Sequence, residues 1–259
     1  MSILFALVAA LLFALGSALQ RRAGAGRLGA LARRPPWLVG VLADAFGYGC
    51  QAAALAVGRL AIVQPLLAST IVFALPLEGW RRVTRGEWVA AVAVAAGLAV
   101  FVLVADPAGG SADASAAAWL AAFAACAAVC LVCRRGALPL GCATGVLFGL
   151  SAALTKATVA RFDGGLLHAV LDWHVVALVV VGYVGLERAQ ASLQAGSLGT
   201  AVAAQMALDA ITSVTIGVLA FGERIHATAA GGALALTGVA LAIAGIVRLA
   251  AAAPDLAAR

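Results

Sequence analysis

From Ser2 to Leu249 the chain is a succession of apolar runs about 17–24 residues long, each the length a helix needs to cross a bilayer. A run of this length has one stable form in hydrocarbon, because a helix satisfies its own backbone hydrogen bonds. Composition agrees: 64% of residues are hydrophobic and only 11% are charged. Soluble domains carry about 25% charged residues. A transmembrane β-barrel is disfavoured, since its strands alternate polar and apolar residues over roughly ten positions. The expectation is an all-α polytopic membrane helix bundle of about nine spans. They are Ser2–Gln20, Trp37–Val57, Leu60–Leu77, Trp88–Val104, Ala116–Cys133, Leu138–Val159, Trp173–Leu193, Leu198–Phe221 and Thr228–Leu249. Residues 1–104 form a first membrane half of four helices. Residues 105–259 supply a linking helix and a second half.

The charge that remains is asymmetric. Arg21, Arg22, Arg27, Arg33, Arg34, Arg81, Arg82, Arg85, Arg134, Arg135, Arg188, Arg248 and Arg259 fall on one set of alternate loops, against Arg59, Arg161 and Arg224 on the other. Basic loops stay cytoplasmic. The N-terminus is therefore expected outside and the C-terminus inside, in a bacterial inner membrane. The Arg and Ala bias suggests a GC-rich bacterial coding sequence. Arginines dispersed over short loops do not form a nucleic-acid patch. Trp37, Trp88, Trp119 and Trp173 lie near helix starts, where aromatic side chains anchor at the membrane interface. No basic region precedes the first apolar run, so no cleavable signal peptide is expected. Five cysteines in or beside apolar runs argue against a disulfide framework.

A weak internal repeat runs through the chain. Ala53–Leu60 reads like Ala191–Leu198, each closing one helix and opening the next after a glycine. The second copy starts five helices later, so it crosses in the opposite sense. Inverted repeats of this kind are typical of secondary transporters.

Asp209 lies near the middle of an apolar run, and a carboxylate there is costly by roughly 2.5–3.5 kcal/mol on the most lenient scale. Gln205, Asp209, Thr212, Ser213 and Ile216 share one helical face. Asp44, Tyr48 and Gln51 form a face of the second span, with Tyr183, Glu187, Gln190 and Gln194 on the seventh. A shift of 139 residues sets Gln51 on Gln190 and Tyr48 on Glu187. Both repeats are expected to aim these groups at one polar space able to hold an ion or a polar solute. The alternative for each is interhelical gluing by hydrogen bonds.

Lys156, the single lysine, either serves that space or snorkels to headgroups. Gln64-Pro65 either exposes a carbonyl for a ligand or is an ordinary first-turn proline, and Pro76 is read as the end of that helix. Gly141, Gly145 and Gly149 read as close helix packing, as do Gly231, Gly238 and Gly245. Cys126, Cys130 and Cys133 share a face but lack a nearby histidine, and no metal site is assigned. His168, His174 and His226 lie on outer loops or helix ends without ligand spacing. No phosphate-binding loop, metalloprotease or serine-hydrolase motif occurs, so no catalytic residue and no cofactor is expected.

Two stretches resemble a family. Leu219-Ala220-Phe221-Gly222-Glu223-Arg224, followed by a span with a central Gly238, resembles the repeat end of the drug/metabolite transporter (DMT) superfamily. Phe13 to Arg21, together with Asp44 through Leu67, is similar to the nine-helix EamA/NIPA-like branch, which includes NIPA-type magnesium transporters. The first half departs from this pattern, reading Pro76-Leu77-Glu78-Gly79 where Gly-Glu is expected. The resemblance implies an inverted-repeat bundle with a central substrate path. The leading expectation is a secondary-active transporter of a small metabolite or drug, driven by a proton or cation through alternating access. Its candidate binding residues are Asp209, Gln205, Asp44, Gln51, Tyr48, Glu187, Gln190, Gln64 and Lys156. A NIPA-type divalent-cation transporter is the first alternative, since magnesium needs only one or two carboxylates. A non-transporting membrane subunit or intramembrane enzyme is the second. The expected partners are the bilayer and a small-molecule or ion substrate, with a homodimer as an option and no nucleic acid. A fluorescent protein fused after Arg259 tests the orientation: it matures and fluoresces if the C-terminus is cytoplasmic and stays dark if the end is exported.

Overall fold

The computed structural model describes residues 1–57, 66–79, 83–105, 110–111, 113–159, 172–224 and 229–252. Its helices are α1 (Ser2–Arg22), α2 (Leu28–Leu31), α3 (Pro35–Val57), α4 (Thr70–Gly79), α5 (Arg85–Ala105), α6 (Ala116–Val132), α7 (Ala137–Val159), α8 (Trp173–Gln194), α9 (Leu198–Phe221) and α10 (Ala229–Ala252). No strand occurs among the described residues. Six of these helices, α1, α5, α7, α8, α9 and α10, are long and apolar enough to cross a membrane. α6 is apolar and somewhat shorter.

Four pairs dominate the packing: α1 with α3, α7 with α8, α7 with α9, and α5 with α10. α4 bridges α1, α5 and α9. Helices of alanine and leucine gain no hydrophobic advantage over lipid by associating, so close van der Waals approach must hold them. Glycines provide it. A Cβ on Gly97 would strike the Gly238 carbonyl, and one on Gly238 would lie 2.6 Å from the Gly97 carbonyl. Gly245 meets Ala90 in the same way, which locks α5 to α10. On α7, Gly141 faces the Ala201 carbonyl, Gly145 faces Gln205 and Asp209, and Gly149 faces Thr212 of α9. On α1 and α3, Gly16 and Gly40 make a reciprocal crossing, each Cβ falling 2.9 Å from the other's carbonyl. The packing role read from the α7 glycines, and from Gly238 and Gly245, is therefore observed.

Contacts at the helix ends define two faces. Arg22 Nη2 donates to the Leu77 carbonyl at 3.3 Å, Gln194 reaches the Arg21 carbonyl at 2.7 Å, and Ser192 donates to the Ala137 carbonyl at 2.9 Å. Those links gather the C-termini of α1, α4 and α8 with the N-terminus of α7. The described arginines of the basic loops lie at this end, here called the Arg-rich end. The opposite end collects Asp113, His174, Phe221, Glu223 and Lys156.

Three expectations change. The third span is not one continuous helix: residues 66–67 are helical, Ala68 and Ser69 form a turn, and α4 begins at Thr70. Ser69 Oγ donates to the Leu66 carbonyl at 2.5 Å and Thr70 Oγ1 to the Leu67 carbonyl at 2.7 Å, so hydroxyls satisfy the groups that the break releases. Pro76 sits inside α4 rather than ending it. Trp37 and Trp119 are 6% and 3% exposed, so they are packing residues and not headgroup anchors, whereas Trp173 keeps 47% of its surface open. Substituting Gly97 by leucine is predicted to separate α5 from α10. Overpacking of this kind costs about 1–3 kcal/mol or more, read as a lower melting temperature in detergent, whereas Gly232→Ala, with open space around its Cβ position, leaves it unchanged.

Candidate functional site

The site is built from the crossing of α1 and α3. With only hydrogens at Gly16, the Asp44 carboxylate of α3 lies directly on the α1 backbone, and any larger residue at 16 would collide with it. Gln20, one turn further along α1 and 2% exposed, donates from Nε2 to Asp44 Oδ2 at 2.5 Å. A Gly16-x-x-x-Gln20 face thus receives a Gly40-x-x-x-Asp44 face. Because α3 starts at Pro35, Asp44 lies two and a half turns inside the helix, deeper than its place near the span entrance suggests. One turn beyond Asp44, Tyr48 stacks edge-on against Phe13, with ring centroids 5.0 Å apart. Tyr48 is 57% exposed.

Asp209 stands on α9, whose backbone Gly145 and Gly149 bring onto α7 at Gln205, Asp209 and Thr212. Ser213 Oγ donates to Asp209 Oδ1 at 3.3 Å. Asp209 and Gln205 are both partly accessible. No hydrogen bond to the Gln205 or Gln51 side chain forms among the described residues, so both amides are available to water or a solute. The predicted face of α9 divides: Gln205, Asp209 and Ser213 stay together, whereas Ile216 enters an apolar cluster with Trp119, Cys126 and Cys130.

The remaining candidates lie elsewhere. Gln190 is 3% exposed, accepts from Trp37 Nε1 at 3.2 Å, and donates to the carbonyls of Gln20 and Gly24 at 3.0 and 3.2 Å. Its amide is committed to joining helices. Glu187 is exposed and accepts from the Tyr183 hydroxyl at 3.1 Å. With Arg27, Arg188 and Gln194 it lines a cleft of about 410 Å³ at the Arg-rich end. Lys156 pairs with Glu223 and lies 4.5 Å above the Phe221 ring, at the end opposite the arginines. Glu223 is in place because Gly222 adopts φ +69° and lets the chain fold back, so that the Glu223 amide donates to the Gly217 carbonyl at 3.0 Å. Gln64, His168 and His226 lie outside the described residues. All five cysteines are free, and no cluster of three or more metal-ligating side chains occurs among the described residues.

Two residues escaped the sequence reading. Gln20 closed an apolar run and looked like a boundary residue, although its spacing of four from Gly16 hinted at the shared face. His174 is fully buried. One ring nitrogen contacts Asp172, the N-cap of α8, and the other lies 3.2 Å from Asp113 Oδ1. Trp119 Nε1 donates to the same Asp113 oxygen at 2.9 Å, and Trp119 and Trp173 stack around the imidazole. The ring therefore ties the inter-half loop to α6 and α8. No sequence spacing announced it, because its partners lie 61 and 2 residues away.

No family model matches the chain, and no solved structure matches it. An uncharacterized protein of Corynebacterium glutamicum is 29% identical over 251 residues, covering 87% of this chain and 86% of its own. The relative thus extends over nearly the whole bundle. Replacing His174 by alanine is predicted to leave the Asp113 and Asp172 carboxylates without their ring partner, at a cost of about 1–3 kcal/mol. The expected readout is a lower melting temperature, with an unchanged one contradicting the latch.

Proposed function

We propose that the protein is a secondary-active transporter of a small polar or charged solute, working by alternating access between two inverted halves of a nine-helix bundle. The observation that carries this reading is a carboxylate inside each half: Asp44, seated on α1 by Gly16 and held by Gln20, and Asp209, partly accessible on α9 beside Ser213. Acidic groups are retained inside spanning helices where they face a cavity, an ion or a partner. Unpartnered Gln205 and Gln51 supply neutral donors and acceptors beside them. The pairing pattern supports the inverted repeat: α1 packs on α3 and α4 much as α7 packs on α8 and α9, with α5 and α10 crossing at Gly97 and Gly238. The turn at Ala68–Ser69 beside α1 and α9 fits the broken helices that line transport sites. The DMT resemblance and the arginine asymmetry support a bacterial inner membrane as its location, with the Arg-rich end in the cytoplasm.

In this mechanism Asp209 binds the coupling cation or proton, Tyr48 and Gln205 orient the solute, and Asp44 is held ready by Gln20. A divalent cation as the cargo is the second reading, since magnesium needs only one or two carboxylates. Thermal-shift screening of the purified protein against metabolites and magnesium identifies the ligand, because a compound that binds the folded state raises the melting point. With that ligand in proteoliposomes, Asp209→Asn is predicted to lower flux by roughly tenfold or more, and Tyr48→Phe to lower it less. Wild-type flux from Asp209→Asn would remove the carboxylate from the mechanism. A melting point raised by magnesium alone would select the cation reading.

A further inference from the structure

Among the described residues, every hydrogen bond that joins α1, α3 or the segment between them to the second half lies at the Arg-rich end. Trp37 Nε1 donates to Gln190 Oε1, Gln190 Nε2 donates to the carbonyls of Gln20 and Gly24, and Gln194 Nε2 reaches those of Gln20 and Arg21. Around them Ala23, Leu28, Leu31 and Trp37 form a buried apolar plug with Leu186 of α8. Toward the opposite end the same two helices leave Leu11, Phe46 and Tyr48 exposed. α1 and α3 are thus hydrogen-bonded to the second half at one end only, while α5 stays packed on α10 through Gly97 and Gly238.

We propose that Trp37, Gln190 and Gln194 are the gate at the Arg-rich end, and that Gln20 couples the gate to the Asp44 site. The inference rests on the transport reading and assigns this structure to the state closed at the Arg-rich end. Gln20 is the one residue that touches both. Its side chain holds the Asp44 carboxylate while its backbone carbonyl accepts from Gln190 and Gln194. A cation or solute donor that takes the carboxylate releases the Gln20 amide, and α1 is then free to shift against the α8 amides. The two buried glutamines suit a gate because neutral amide bonds are modest in net energy, about 0.5–1.5 kcal/mol each. A handful of them holds a closed state without trapping it. The role differs from ligand binding, since Gln190 has no amide group left for a solute.

Spin-label distances in the full-length protein test this, in a background whose five cysteines are replaced by alanine. One label pair, at Ala30→Cys and Arg135→Cys, spans the Arg-rich end; a second, at Ile3→Cys and Ala116→Cys, spans the other. Gln190→Ala is expected to add a longer population to the first pair and a shorter one to the second. Trp37→Phe, which deletes the N–H and keeps an aromatic side chain, acts in the same direction if the glutamine variant fails to fold. Asp44→Ala is expected to move both pairs the same way. Loss of packing alone would lengthen both pairs, and that result, or two unchanged distributions, overturns the gate. A shift with Gln190→Ala but none with Asp44→Ala overturns the coupling. These distances need no substrate, so a protein without flux in proteoliposomes refutes the transport reading separately.

Discussion

A polar side chain on a spanning helix is stable in two situations, when another protein group takes its hydrogen bonds or when water does. The bilayer offers no third. That constraint sorts the interior of this protein. Gln20, Gln190, Gln194 and Ser192 find protein partners and fasten helices together, and Thr144 bonds back to Leu140 of its own helix. Gln205, Gln51 and Tyr48 form no such bonds among the described residues, and Asp209 has only Ser213. The proposed transport path runs past the second group.

Glycine makes the segregation feasible. With helices pressed together at Gly16–Gly40, Gly97–Gly238 and along Gly141, Gly145 and Gly149, the contact surfaces are close-packed backbone. The Asp209 backbone lies against α7 at Gly145 and Gly149. The same device at Gly16 seats the Asp44 carboxylate on α1. Packing and site are in this sense one arrangement, in which small residues decide where the carboxylates point.

Much of this was legible before any coordinates. Long apolar runs specify helices, a mid-span aspartate specifies an interior face, and glycines four apart specify a close crossing. Each of these depends only on the local helix and the solvent around it. What the sequence did not reveal depends on partners distant in the chain. Gln51 and Gln190 are equivalent in spacing, yet one is open and the other is clamped, because Trp37 and two carbonyls happen to meet only the second. His174 and Trp119 read as end-of-helix residues, and only the return of the inter-half loop encloses them. The break at Ala68–Ser69 was hidden by a run whose hydropathy is uniform, since hydroxyls of Ser69 and Thr70 satisfy the backbone without lowering apolar character much.

The central claim is that the space beside Asp209 is wet and reached from the end opposite the arginines. Substituting Gln205 by cysteine in a cysteine-free background, and measuring its reaction with a membrane-impermeant thiol reagent added to each face separately, tests this directly. Rapid modification from the face opposite the Arg-rich end, and little from the other, is the predicted result. Modification only by lipid-soluble reagents would show that α9 turns its polar face to protein or acyl chains, and the crevice would not exist.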